Sequence, residues 1–388
     1  MWDDFFILEN INFKVYTSIS TLPENWNEVA ASNHFLQTPY LQVLENSAPT
    51  NMECFYIGIF ENDKLVGTLL SQYLDLNKLE SFGERDSCLK THIRNFIFKN
   101  FASHVLFIGN NMISGQNAYA LSKEIEHKCL SKLLIDCSNA LIIYFKNKGI
   151  KIHIVSFKDF YKQNATLFKK NYFNNLYEFN AQPNMIFNLN ENWSSKEDYV
   201  AAFTKKYRDQ YKRAHKKYNG IIEKELSLDD VIFHENRINE LYHYVAKNAP
   251  FNTFFLAENH FSTFKKQCGS RFRIFGHFLN DKLVGFHTLL LNEDVLETYF
   301  LGYDDEIQKN NMLYLNMLYH MTEFGIENHF KKIIFGRTAI EIKSSIGAEP
   351  VYMSGFILHT NSFVNKFIGK IFQSLEPNLE WNQRHPFK

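Results

Sequence analysis

Three groups of side chains in this chain have the types and spacing to do chemistry. The stretch "LETYFLGYD" (296–304) carries Glu297, Tyr299 and Tyr303. A carboxylate can take a proton and a phenol can give one, which is the pairing that general acid–base catalysis needs. Read as a strand, the stretch sets Glu297 and Tyr299 on one face by its period of two and leaves Tyr303 just past the strand end. A solvated strand carboxylate and a packing tyrosine are the plain alternatives. The stretch "GRTAIEIKSSIGAEP" (336–350) offers Gly336 for close backbone approach. Its Arg337 can hold a phosphate or carboxylate through two parallel N–H groups, or pair with a glutamate that fixes the loop. Glu341 and Lys343 point the same way on an extended chain and to different sides on a helix. From Lys205 to Lys217, 7 of 13 residues are Lys or Arg, with Asp209 the one acid. At helical spacing Lys205, Arg208, Lys212 and Lys216 form one face, and Tyr207, Tyr211, Ala214 and Tyr218 form another. Such a helix can meet anionic lipid, tRNA or a carrier's phosphates, or it can be a solvated face over a tyrosine-packed seam.

Other chemistries find little in the sequence. The 15 histidines show no HExxH or HxH, so no metal site is expected. The five cysteines (Cys54, Cys88, Cys129, Cys137, Cys268) are odd in number and lack CxxC spacing, which fits thiols in a reducing cytoplasm. GxSxG, GxGxxG and GxxxxGK[ST] are absent. Lys+Arg and Asp+Glu both number 42, so no global charge points to nucleic acid or membrane. The opening "MWDDFFILEN" is acidic and unlike a signal peptide, and the apolar run "ALIIYF" is far too short to span a bilayer. A cytoplasmic location is expected, with peripheral membrane contact left open.

The elements that must position these residues are written twice. "NDKLVG" occurs at 62–67 and again at 280–285. Each copy lies in a strand–turn–strand pattern, 54–74 and 272–292, rich in Phe, Ile, Val and Leu around an Asn-Asp-Lys tip. "HVLFIGN" with Gly109 follows the first, and "LETYFLGYD" with Gly302 follows the second. A helical stretch comes next, about 118–148 and 311–328, and then a strand, "KIHIVSF" and "KKIIFGR". Leu313, Met317, Met321 and Phe324 make one apolar stripe suited to a sheet. The expectation is a tandem duplication of one α/β (α+β mixed-sheet) unit, covering 1–190 with an insertion at about 78–103, and 191–388. Ser194 or Ser195 is placed to cap the first helix of the second unit, with Asp198 in its first turn.

Hairpin, strand, helix, parallel strand is the core order of GNAT acyltransferases, and the doubled arrangement resembles their FemAB-like branch. "FLQTPYLQVLENSAPTN" resembles that branch's opening helix, "FIGNNMISGQ" its glycine-asparagine loop, "TKKYRDQYKRAHKKY" its basic helix, and 335–350 a signature of a bacterial GNAT-like subgroup. The resemblance implies two tandem GNAT-like units and an N-acyltransferase active in the second. The acyl group would sit where the strands ending at Gly302 and Gly336 part, with acyl-CoA as co-substrate and a primary amine as acceptor. It implies donor contacts at Gly302, Lys309, Asn310, Gly336, Arg337, Thr338 and Lys343. Acceptor or carrier contacts fall at Tyr299, Glu341, Arg208, Lys212 and Arg213. Glu297 would be the base and Tyr303 a proton donor. The loop "GYDDEIQKNN" departs from the family's phosphate-binding pattern, because Asp304, Asp305 and Glu306 would repel a diphosphate. The first unit's "GNNMISGQNA" has no acid, and its amides are free to approach one. Two alternatives stay open: a Fem-type transferase using aminoacyl-tRNA on a cell-wall precursor, and a catalytically silent binding module.

Overall fold

A computed structural model describes residues 11–78, 101–123, 125–180, 182–248, 252–375 and 381–388. The acidic N-terminal stretch and nearly all of the expected insertion at 78–103 lie outside them. The chain forms two compact units. The first takes Met1–Ala181, Thr253–Ala257 and Tyr352–Asn378, and the second takes Gln182–Asn252, Glu258–Val351 and Leu379–Lys388.

The first half supplies β1 (Ile11–Tyr16), β2 (Met52–Glu61), β3 (Lys64–Asp75), β4 (His104–Ile108), β5 (Tyr119–Leu121), β6 (Ile154–Tyr161), β7 (Tyr177–Asn180) and β8 (Asn184–Asn188). The second supplies β9 (Ile221–Glu225), β10 (Phe272–Leu279), β11 (Lys282–Asn292), β12 (Val295–Tyr303), β13 (Lys332–Gly336), β14 (Glu349–Val351) and β15 (Met353–His359). One sheet runs β1-β2-β3-β4-β6-β15-β7, with β5 also on β3, and the other runs β9-β10-β11-β12-β13-β8-β14. The two orders match position for position. They also show why a single cut at residue 190 does not divide the chain. The neighbours β7 and β8 enter different sheets, and so do β14 and β15. The place beside β6 is filled by β15, and the place beside β13 by β8.

The repeated hexapeptide is the same turn twice. Asn62 and Asp63 have φ of 48° and 63°, and Asn280 and Asp281 have 49° and 60°. Two left-handed residues make the tight turn whose twist suits a hairpin. A bulge follows at the same point of each pair, between Ile59 and Phe60 and between His277 and Phe278. Glycine adopts this backbone without a Cβ penalty. Asp281→Gly is therefore expected to raise stability by about 0.5–1 kcal/mol, read as a higher urea midpoint.

Each sheet carries the expected long helix, His127–Asn147 in the first unit and Leu313–Glu327 in the second. The first starts later than the periodicity suggests because 119–121 is strand. Leu313, Met317 and Met321 are fully buried against Leu289, Leu296 and Ile333. Each such side chain contributes about 1.5–3 kcal/mol through burial, so the methionine stripe is core. Ser195 and Asp198 cap Lys196–Ala202 reciprocally, as anticipated. Among the described residues no helix is long and apolar enough to cross a membrane.

Candidate active site

In the second unit β12 and β13 run parallel but pair only from Val295–Lys332 to Glu297–Ile334. Beyond that point β12 continues to Tyr303 on β11 alone, with a bulge between Thr298 and Leu301. Thr288 Oγ1 donates to the Phe300 carbonyl there, at 2.6 Å. On the other side β13 bulges at Phe335 and stays with β8 up to Gly336, whose φ is 74°. The sheet is therefore forked, and Glu297 is the last β12 residue paired on both sides. Its carboxylate is buried and accepts from Asn292 Nδ2 at 3.0 Å. Burial pushes that carboxyl up to about 7, against the partial relief of the Asn292 bond. Lys343, on Ile340–Ser344, turns inward at the β13 bulge and donates from Nζ to the Phe335 carbonyl at 2.5 Å. Burial pushes its ammonium down to about 7. A carboxyl and an amine that change charge near neutrality are the groups that proton transfer can use.

The remaining expected residues do not all gather here. Leu296 packs into the core under Leu313–Glu327, so alternation turns Glu297 to the opposite face. Tyr299 shares Glu297's face, as expected; its hydroxyl lies 3.0 Å from His260 Nε2 and its ring packs on Phe264. Tyr303 packs on the other face, against Tyr314. Six residues of strand span about 20 Å, so Glu297 and Tyr303 cannot serve one reacting atom. Gly302 meets protein: a Cβ there would lie 2.5 Å from the backbone of Leu241 and Tyr242. Its smallness serves helix Glu235–Asn248. Arg208 Nη2 donates to the carbonyls of Ala201 and Phe203 at 3.3 and 2.8 Å, which closes the preceding helix. Glu341 pairs with Arg384, on the side of its helix away from Lys343. Lys309 and Asn310 are exposed on Asp305–Asn311, Arg337 is half-buried, and Thr338 is exposed. Lys212 and Arg213 are exposed, while Tyr207, Tyr211, Ala214 and Tyr218 form the buried seam expected of that helix.

Both phosphate-loop expectations change. Asp304 N donates to Val284 O at 2.9 Å, and Ser122 N donates to Val66 O at 2.9 Å. Since Val66 and Val284 are the same letter of the repeat, Ser122 is the counterpart of Asp304. Gly109 is thus not the counterpart of Gly302. The segment 109–118 is an insertion between β4 and β5, which lie along one edge of β3. Several of its amides are occupied: Asn111 N bonds Gln72 Oε1 at 2.6 Å, Met112 N bonds Asn110 Oδ1 at 2.9 Å, and Gly115 N bonds Asp159 Oδ2 at 3.3 Å. In the second unit the Asp304 carboxylate itself caps Glu306 N and Ile307 N, and Arg237 neutralises it.

One cluster was invisible in the sequence. Glu223 stands opposite His277 across β9 and β10, and His320 from Leu313–Glu327 contacts the Glu223 carboxylate. His277 Nε2 lies 2.8 Å from His287 Nδ1, and its Nδ1 lies 2.6 Å from the Tyr218 hydroxyl. Burial keeps His277 and His287 neutral, pushing His287 down to about 4 and His277 well below the usual range. The one available signal was the cross-strand pairing of Glu223 with His277, which needs the register of β9 to be known.

No protein-family model matches the sequence, and no curated protein matches it. Solved structures do share its architecture. FemX matches with a TM-score of 0.55 at 10% identity, covering 90% of this chain and 99% of FemX. A tandem GNAT protein from the clavulanic acid biosynthesis pathway matches with a TM-score of 0.50 at 10% identity, covering 90% and 98%. At these identities the likeness is one of fold.

Proposed function

Starting from this tandem-GNAT fold of the FemX type, we propose that the chain is an N-acyltransferase working at the fork of the second sheet. The acyl carbonyl of the donor lies between β12 and β13. A primary amine attacks it, and the tetrahedral intermediate collapses by expelling the carrier's thiol or hydroxyl. Glu297 takes the amine's proton, directly or through a water, because its carboxyl is half-ionised near neutrality. The observation that supports this reading is the early end of the β12–β13 pairing at Glu297 and Ile334. Past it, the β12–β13 ladder does not continue among the described residues, and this reading places the oxyanion at a backbone N–H of the fork. In the first unit the matching edge carries the 109–118 insertion, whose Asn110 and Ile113 carbonyls hold Lys158 Nζ at 3.0 and 3.4 Å. This favours the second unit as the active one.

Acyl-CoA is the donor in this reading, its diphosphate held away from the Asp304-capped helix. The exposed Lys212 and Arg213 favour a second reading, an aminoacyl ester of tRNA. Thermal melting with acetyl-CoA, a long-chain acyl-CoA and aminoacyl-tRNA separates them. A true donor at 100 times its dissociation constant adds about 2.7 kcal/mol. The RNA reading further requires binding that weakens with salt and in the Lys212→Ser/Arg213→Ser double variant. If none of the three binds, the transferase reading fails and a silent binding module takes its place.

A further inference from the structure

The half-buried cluster of Glu223, His277 and His320 in the second unit has no part in the fork. We propose that Glu223, His277 and His320, with the Tyr218 hydroxyl, form a divalent-cation site of zinc type that pins the edge strand β9 to the central helix. The ligand atoms of Glu223, His277 and His320 all lie within 4.8 Å of one another. They come from three elements that sequence order keeps apart. Glu223 is on the outermost strand, His277 on its neighbour, and His320 on helix Leu313–Glu327 above them. The pleat turns Glu223 and His277 to the same face because they are directly opposite in register. Tyr218, at the end of helix Lys205–Lys217, brings a fourth oxygen to within 2.6 Å of His277 Nδ1.

The donor set selects the ion. Two imidazoles and one carboxylate suit a four-coordinate borderline metal, and zinc takes such ligands readily. Calcium and magnesium need six or more oxygens, which this cluster cannot supply. The outer contacts are those that a ligating histidine requires. His287 Nδ1 lies 2.8 Å from the far nitrogen of His277 and fixes that ring's orientation. The His215 ring stacks on His320 at 6.2 Å and lines an open basin of about 760 Å³ together with Tyr211 and Arg208. The three side chains come from β9, β10 and the central helix, so the ion's role is to hold β9 in the sheet. This inference is independent of the acyl-transfer reading.

The test uses the full chain, stripped with a chelator, dialysed into metal-free buffer and equilibrated with Zn²⁺ alone. One zinc per chain should be retained by elemental analysis. Cobalt(II) substituted at the site should give the intense visible bands of tetrahedral coordination. Glu223→Gln, whose fold is checked by circular dichroism, should cut retained metal at least tenfold and abolish those bands. Zinc should raise the melting temperature of the wild type by at least about 3 °C and leave that of Glu223→Gln unmoved. His320→Gln should behave as Glu223→Gln does. A wild-type chain that retains no zinc overturns the assignment. So does retention that survives both substitutions, since the ion would then sit on other histidines.

Discussion

Gly302→Ala is expected to destabilise the second unit by about 3 kcal/mol or more. A Cβ at this position would lie 2.5 Å from Leu241 C and Tyr242 N and 2.6 Å from Leu241 O. These are backbone atoms of helix Glu235–Asn248, so no rotamer change relieves the clash, and the helix must lift from β12. Lifting it loosens the packing of Leu241, and of Tyr242 against Phe300, both made on that face. Gly285→Ala is the internal comparison. There the closest atoms are Met317 Cε at 2.6 Å and Leu313 Cδ2 at 2.9 Å, ends of side chains that can give way. Urea unfolding should show a much larger fall in midpoint for Gly302→Ala than for Gly285→Ala, at similar m-values. If Gly302→Ala keeps full stability and loses donor binding, the glycine belongs to the ligand site after all.

Glu297→Gln is expected to lower the transfer rate by about 10²–10⁴-fold while leaving the fold intact. The wild-type rate should climb as pH rises through about 7, where the carboxyl of Glu297 loses its proton, and the variant should lose that limb. Stability should move the other way. Burial lifts the carboxyl from an ordinary 4.5 to about 7, so the folded state holds its proton where the unfolded chain has released it. The stability this contributes is fully present below about pH 4.5 and is lost as pH rises through 7. At pH 8 the wild type carries a buried carboxylate and the variant does not. The variant's advantage over wild type should therefore grow between pH 5 and pH 8, by on the order of 3 kcal/mol. Paired urea titrations at the two pH values measure it. An unchanged rate in Glu297→Gln removes the residue from the mechanism, whatever its effect on stability.

The forked site was legible in part. Glu297 and Tyr299 share a face because strand alternation is a local property, and it survives the bulge after Thr298. Tyr303, expected just past the strand end, is the last residue of β12, and its ring packs on the Leu313–Glu327 side because the bulge adds one to the count. The structural partners of Gly302 and Arg208, a helix backbone and two carbonyls, are identified only by packing. Lys343 carries the same lesson. The resemblance implies a donor contact for it, and only the fold reveals that its ammonium is enclosed on the Phe335 carbonyl.

What the chain's letters determined was the duplication and everything local to it. The hexapeptide prescribes a left-handed two-residue turn wherever it occurs, and the stripes and caps prescribe the helices, because these depend on contacts a few residues apart. The tertiary structure alone decided which strands become neighbours. The successive strands β7 and β8, and likewise β14 and β15, go to different sheets, since an apolar strand is satisfied by any edge of the right register and its own sequence does not name the partner. The same holds for the cluster of Glu223, His277 and His320. A site assembled from a strand, its neighbour and a distant helix has no spacing to read until the sheet has been built.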